Sequence, residues 1–280
     1  MRNAYILAAC RTPGCKAKKG KLKDVRPDDL AAAAIKGLMV KSGASPSDVE
    51  DIIIGCAFPE GEQGMNFARV AAMKAGMPVE APAQTVNRFC SSGLQAIASA
   101  AERIMAGFAD CIIAGGSESM SMIPIGGARY SANPSLVADW PESFASMGIT
   151  AEIVAEKFGI TRVDQDIFAA ASHAKAAAAI AAGKFRDEII PVEAERCTLL
   201  NGKILRSTEL VDADDGVRGD TTVDGLGKLK TPFKAAGTVT AGNSSQMTDG
   251  AAAVLVVSEE YLKRTGKKAL ARFVAFAVKG

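Results

Sequence analysis

Cys90 is the side chain in this sequence best placed to react. It belongs to the run Ala83-Gln84-Thr85-Val86-Asn87-Arg88-Phe89-Cys90-Ser91-Ser92-Gly93-Leu94, where an extended stretch ends in a polar turn and a helical pattern starts at once. The first turn of a helix carries unpaired N–H groups and a partial positive charge, and both favour a thiolate. Position alone leaves two readings open: a nucleophile, or the small buried hydrophobe that free cysteines commonly are. A catalytic cysteine needs a base or a charge partner, and the sequence holds one histidine, His173. That residue falls in the middle of an amphipathic helical pattern, where an exposed or capping role is the expectation rather than catalysis. A second cluster, residues 237–250, crowds hydroxyl and amide groups ahead of an apolar strand pattern. Burying such groups is costly unless they bond one another or a ligand, which makes this the second candidate site. Residues 114–120 follow a strand pattern but match neither G-x-G-x-x-G nor a P-loop. Their glycines are expected to allow tight turns near a site.

Elements must position these groups. Strand patterns occur at 4–9, 51–57, 83–86, 111–114, 251–257 and 270–278. Several are apolar at successive positions, as strands covered on both faces are, which predicts a largely parallel sheet between helix layers. Helices are expected at 30–40, capped by Asp28 and Asp29 and stopped by Gly43; at 66–75; at 92–106; and at 259–264, opened by Ser258 and closed by Gly266. The helix after Cys90 is apolar nearly all round before Glu102 and Arg103, so helix and thiol are expected deep in the protein. The stretch from 117 to 237 is broken by Gly126-Gly127, Asn133-Pro134, Trp140-Pro141 and residues 212–219. Two helices, 151–158 and 164–182, and a strand near 189–192 are expected within it. It reads as an excursion from the sheet, and loops of that length usually carry binding surfaces.

The 280 residues suffice for one large α/β domain or two smaller ones. Aromatic residues make up 5%, so small and β-branched side chains must build the core. A net charge of +2 argues for neither nucleic acid nor an anionic membrane as partner, and the basic run 16–23 reads as a solvated loop. None of the six cysteines forms a C-x-x-C pair, so no metal site is expected. No secretory h-region opens the sequence and no apolar stretch is long enough to span a bilayer. The expected setting is cytoplasmic and reducing, with free thiols.

Three long segments carry a family resemblance. Val86-Asn87-x-x-Cys90-x-Ser92-Gly93-Leu94-Gln95-Ala96-Ile97 resembles the nucleophile segment of the thiolases. Gly115-Gly116-x-Glu118-Ser119-Met120-Ser121 resembles the segment that follows it there. Residues 237–250 resemble the family's Gly-Thr-Val-Thr-Ala-Gly-Asn-x-Ser motif with the Asp-Gly after it. Arg11-Thr12-Pro13 and residues 57–64 fit as well, in the family's order along the chain.

The resemblance implies an α/β thiolase-like fold, a mixed and mostly parallel sheet between helix layers with a long inserted loop region. An N-terminal domain would cover 1–268, its sheet core from 1–118 and 237–268 and its insert from 119–236. Residues 269–280 resemble the opening of a C-terminal half-domain that is otherwise absent. The family's Gly-x-His-Pro and Cys-x-Gly-Gly-Gly segments lie beyond that point and occur nowhere in the sequence. The implied activity is reversible thiolysis of 3-ketoacyl-CoA in fatty-acid degradation, with Cys90 holding the acyl group and its own N–H helping to stabilise the oxyanion. Arg218 matches the family arginine near the adenine nucleotide end of coenzyme A, and Ser245 the serine touching the pantetheine arm. Phe233 and Met147 match apolar residues along that arm. Coenzyme A and acyl-CoA would be substrates, with no permanently bound cofactor, and the full-length protein a homodimer or tetramer. Ser146 before Met147, where biosynthetic members usually carry histidine, resembles the degradative thiolases. The alternatives are a biosynthetic acetoacetyl-CoA thiolase, a related 3-ketoacyl synthase, a thiol redox protein, and a non-catalytic CoA-binding or assembly module. The sequence is read as an N-terminal portion that does not complete turnover alone.

Overall fold

The structure, a computed structural model, describes residues 2–200 and 202–279, with the side chains of 196–200 outside the description. The expectation of a free thiol at Cys197 therefore lies outside the described residues. In chain order the elements are β1 (Ala4–Arg11), β2 (Cys15–Lys16), α1 (Pro27–Ser42), β3 (Asp51–Gly55), α2 (Phe67–Lys74), β4 (Ala83–Val86), α3 (Ser92–Met105) and β5 (Cys111–Glu118). There follow α4 (Pro134–Asp139), α5 (Met147–Phe158), α6 (Arg162–Ala181), β6 (Val192–Leu200), β7 (Lys203–Val211), α7 (Val223–Gly227), β8 (Thr248–Ser258), α8 (Glu259–Thr265) and β9 (Ala271–Arg272).

The chain forms two compact units. The first holds Met1–Ala128, Asp187–Asp215 and Thr248–Gly280, and the second Arg129–Arg186 and Gly216–Met247. The boundaries drawn from sequence, with an insert at 119–236, differ at both ends. Residues 187–215 return to the sheet because Arg11 N–H bonds the Glu188 carbonyl at 2.8 Å and Ile190 N–H bonds the Arg11 carbonyl at 2.7 Å. Residues 237–247 belong with the second unit because Thr238 and Asn243 bond to carboxylates of α5 and α6.

In the first unit the strands run in the order β4-β3-β5-β8-β1-β9, with β2 paired to β8. β3 pairs in parallel with β4 and β5, while β8 runs antiparallel to both β5 and β1. The sheet is thus mixed, with β1, β3, β4 and β5 pointing one way. One face packs on α1 and α2 through Leu30, Ile35, Leu38 and Phe67; the other packs on α3 through Ala96, Ala100, Ala101 and Ile104. The successive apolar residues of β3 exist because both faces are covered: all five of its residues are buried. Full burial of each large aliphatic side chain contributes about 2 kcal/mol, and the alanines of α3 bring that helix close to the sheet.

Several expectations are corrected. Asp28 and Asp29 lie inside the first turn of α1, whose N-cap is Arg26, and the Asp28 carboxylate bonds the Arg26 guanidinium instead of capping. The apolar run 270–278 pairs with β1 only at Ala271–Arg272, since a strand needs a partner ladder as well as an apolar pattern. The strand expected near 189–192 is the entry to an antiparallel hairpin, β6–β7. Gly43 and Gly266 end α1 and α8 in the left-handed conformation, as their sequence positions predict.

Candidate active site

Between β4 and α3 the chain makes a pinned elbow. Asn87 accepts a hydrogen bond from Phe89 N–H at 2.8 Å through Oδ1, and donates from Nδ2 to the Ala57 carbonyl at 3.0 Å. Phe89 has φ +46°, a left-handed backbone that costs an aromatic residue about 1–3 kcal/mol. Ser92 Oγ accepts from Arg88 N–H at 2.8 Å and donates to the Phe89 carbonyl at 2.6 Å. Cys90 follows Phe89, and α3 starts two residues later.

Cys90 is exposed, contrary to the depth expected from the apolarity of α3. The helix buries Ala96, Ala98, Ala100, Ala101 and Ile104, but Cys90 precedes its first turn. The flanking Phe89 and Leu94 are 66% and 57% exposed. An apolar pattern tells which helix packs on the sheet; it does not tell that the elbow before it stands clear of that packing.

A cavity of about 440 Å³ within the first unit brings Cys90 together with the two other segments that carry the resemblance. Its wall includes Phe58, Phe89 and Met120, with Glu118 and Arg11 as the charged members. The glycines of residues 114–120 form no turn, contrary to the expectation from their sequence context. Gly115 and Gly116 lie within β5, and a Cβ on Gly115 would meet the Ala252 carbonyl and lie 3.0 Å from Ala253 Cα. A Cβ on Gly55, the last residue of β3, would lie 2.6 Å from Gly93 N and Ser92 O. The missing methyl there lets the first turn of α3 rest on the sheet backbone.

The charged groups are held in place. Glu118 accepts from Ala57 N–H at 2.7 Å and from the buried Gln63 amide. Arg11 grips Asp214 through two bonds of 2.7 and 2.9 Å and reaches Glu188 at 2.7 Å. Burial alone would raise the Asp214 carboxyl, but the bonds from Arg11 and Gly14 N–H outweigh it and hold the group below its usual range. Asp249 is fully buried, which pushes its carboxyl up, while Ser121 and Ser119 bond it in partial compensation. Burial also pushes the thiol of Cys10 up to about 11 and those of Cys15, Cys56 and Cys111 up to about 12. Those four are inert near neutral pH, and Cys90 is the exposed member among the described cysteines.

The second candidate segment, residues 237–247, lies in the second unit with its polar groups largely satisfied by protein. The buried Glu152 of α5 accepts from the N–H groups of Thr238 and Val239 at 2.8–2.9 Å and from the Thr238 hydroxyl at 3.0 Å. Asn243 accepts from Thr240 N–H at 2.7 Å and donates to Asp166 of α6 at 3.0 Å. Ser245 is exposed beyond these bonds. Of the expected coenzyme A contacts, Met147 adjoins Gly148, against which the Phe233 ring lies. Gly216, two residues before Arg218, meets the side-chain amide of Gln246, which follows Ser245. All four residues belong to the second unit, whereas Cys90 belongs to the first. His173 is part-buried on α6, where Nδ1 accepts from Arg218 N–H at 3.2 Å, a positioning role for that backbone. Sequence reasoning does not single out Glu152 or Asp166: Glu152 bonds Thr238, 86 residues away, and Asp166 pairs locally with Arg162 four residues earlier but reaches Asn243 across 77 residues.

Residues 4–260 match the family model described as the thiolase N-terminal domain. The chain is 50% identical over 281 residues to a 3-ketoacyl-CoA thiolase of Bacillus subtilis (strain 168), covering all of this chain and 72% of that protein. It is 46% identical to the peroxisomal 3-ketoacyl-CoA thiolase 2 of Arabidopsis thaliana, covering 99% of this chain and 60% of that one. A 3-ketoacyl-CoA thiolase of Pseudoalteromonas translucida (strain TAC 125) is 42% identical, with 70% of its length covered. Among the described residues no helix is long and apolar enough to cross a membrane.

Proposed function

We propose, for a chain that belongs to the thiolase family, that Cys90 is the acyl-accepting nucleophile of a degradative 3-ketoacyl-CoA thiolase. The observation that carries this reading is the exposed Cys90 on its strained elbow, opening into a cavity lined by all three of the family-like segments. Relatives named 3-ketoacyl-CoA thiolases support the degradative direction over the biosynthetic one.

In the chemistry this reading requires, the deprotonated Cys90 sulfur attacks C3 of a 3-ketoacyl-CoA. The sulfur–carbon bond forms, the C2–C3 bond breaks, and the departing acetyl-CoA carbanion takes up a proton. The acyl group then passes to the sulfur of incoming coenzyme A, regenerating Cys90. The related loading step is simpler: acetyl-CoA gives its acetyl group to Cys90, the thioester C–S bond breaks, and the cysteine proton ends on coenzyme A. Oxyanion stabilisation at a helix start suits either attack. The proton transfers that the family's Gly-x-His-Pro and Cys-x-Gly-Gly-Gly segments carry are not assigned to this chain, whose sequence contains neither. Arg218, Ser245, Phe233 and Met147 would hold coenzyme A as a substrate, with no resident cofactor. A cytoplasmic setting fits the free thiols of the first unit, and a homodimer or tetramer for the whole protein rests on the resemblance.

The test is intact-mass analysis after incubation with acetyl-CoA. An acetyl adduct mapped to Cys90, absent in Cys90→Ala, is expected. Coenzyme A binding with no adduct would replace this reading by a CoA-binding module without acyl transfer.

A further inference from the structure

We propose that Asn87 and Ser92 are positioning residues for Cys90, acting by holding Phe89 in its left-handed conformation. The inference rests on the reading of Cys90 as acyl acceptor and adds the device that sets where its sulfur stands.

Phe89 is the starting point. A bulky aromatic residue at φ +46° persists only where its surroundings over-determine it. The structure shows what does so. The Asn87 side chain takes the Phe89 N–H at 2.8 Å, closing a turn typical of asparagine two residues ahead. The Ser92 hydroxyl and N–H both donate to the Phe89 carbonyl, at 2.6 and 3.0 Å, so the two peptide groups flanking its Cα are fixed. The Ser92 hydroxyl also takes Arg88 N–H at 2.8 Å. Releasing either side lets φ relax to a negative value, and Cys90, the next residue, must swing with it.

Asn87 also connects the elbow to the Ala57–Phe58 part of the cavity wall. Its Nδ2 donates to the Ala57 carbonyl, while Ala57 N–H donates to Glu118 and the Phe58 carbonyl accepts from Gln63 at 2.8 Å. Gln63 Oε1 in turn takes Ser119 N–H at 2.7 Å. The Phe58 ring packs at a tilt on Phe89, centroids 6.2 Å apart. Asn87 is itself exposed, so core packing does not explain its place. The bonds it makes register the thiol against the loop 57–63 and the end of β5.

Acyl transfer from a thioester needs sulfur, carbonyl carbon and oxyanion donor aligned, and a displacement of about 1 Å costs on the order of a hundredfold. Alkylation by iodoacetamide needs only the sulfur. In Asn87→Ala and Ser92→Ala the acetylation rate of Cys90 by acetyl-CoA should therefore fall about tenfold or more, with alkylation changed less than about threefold. Combining Phe89→Gly with Asn87→Ala should restore most of the lost acetylation, because glycine adopts the left-handed backbone without the clamp. A crystal structure of the Asn87→Ala protein should show φ of Phe89 turned negative and the sulfur displaced. Retained acetylation in both single variants, or equal loss of acetylation and alkylation with a lowered Tm, overturns the proposal. If the wild-type thiol takes no acetyl group, the functional reading fails on its own. The clamp then stands or falls on φ of Phe89 in that crystal structure.

Discussion

Gly55→Ala tests how the reactive elbow is supported. The added Cβ would lie 2.6 Å from both Ser92 O and Gly93 N, whereas ordinary contact begins at 3.4 Å. Both atoms are backbone, in the first turn of α3, and cannot rotate away as a side chain would. The Ser92 carbonyl carbon lies nearer still, so either β3 or the start of α3 must give by about 1 Å. Overpacking of this kind costs roughly 1–3 kcal/mol, and the rigid partner puts the expectation at the upper end. The same displacement carries Cys90 with it, so acetylation by acetyl-CoA should fall by about tenfold to a hundredfold. Gly76→Ala provides the control: its φ of +77° is strained for alanine, but no atom lies within 4 Å. It should cost only about 1 kcal/mol and leave acetylation alone. Urea denaturation of the three proteins, with acetylation followed by mass spectrometry well below the transition, separates the two effects. Wild-type stability and wild-type acetylation in Gly55→Ala would refute the argument that α3 rests directly on the sheet backbone.

Two further outcomes are expected. Brief treatment with iodoacetamide near pH 7.5 should label Cys90 ahead of Cys10, Cys15, Cys56 and Cys111, whose buried thiols titrate at about 11 to 12; peptide mapping that finds any of those four labelled as fast refutes it. For Glu152, burial raises the carboxyl, but the bonds from Thr238 and Val239 prevail and lower it. A carboxyl lower in the folded state stabilises above its unfolded value, and that contribution is lost as pH falls through the folded value. The protection of residues 238–243 against hydrogen exchange, taken relative to the intrinsic exchange rate at each pH, should therefore fall on acidification, and Glu152→Gln should flatten that dependence; a slope unchanged by the substitution counts against the assignment.

The parts of this architecture that were legible in sequence are those with a local cause. Burial on both faces writes itself into β3 as Asp-Ile-Ile-Ile-Gly, and the left-handed helix ends require Gly43 and Gly266. Cys90 was legible as a candidate because a strand, a polar turn and a helix meet there. Its exposure was not, because φ of Phe89 and the Asn87 bridge to Ala57 depend on a loop 30 residues away. The hairpin β6–β7 escaped because its strands carry charges and hydroxyls among their apolar residues, and of its described side chains only Val192, Ala194 and Val211 are buried. The unit boundaries escaped for a similar reason. What returns 187–215 to the sheet is the pair of backbone bonds to Arg11, and what removes 237–247 is Glu152 and Asp166.

The contact of Gly55 and its neighbours with the start of α3 separates two kinds of sequence drift. The position of the sulfur is referred to main-chain atoms of β3, β5 and the first helical turn, which every substitution elsewhere in the core leaves chemically unchanged. Leu30, Ile35 or Leu38 can vary in size, and the two helices on the far face of the sheet can shift to accommodate them, without moving the thiol. Altering Gly55 offers no such slack. A lineage of this protein can therefore explore stability through its interior side chains while its reactive centre stays in register, and a designer seeking to move that centre has to start from the strand backbone.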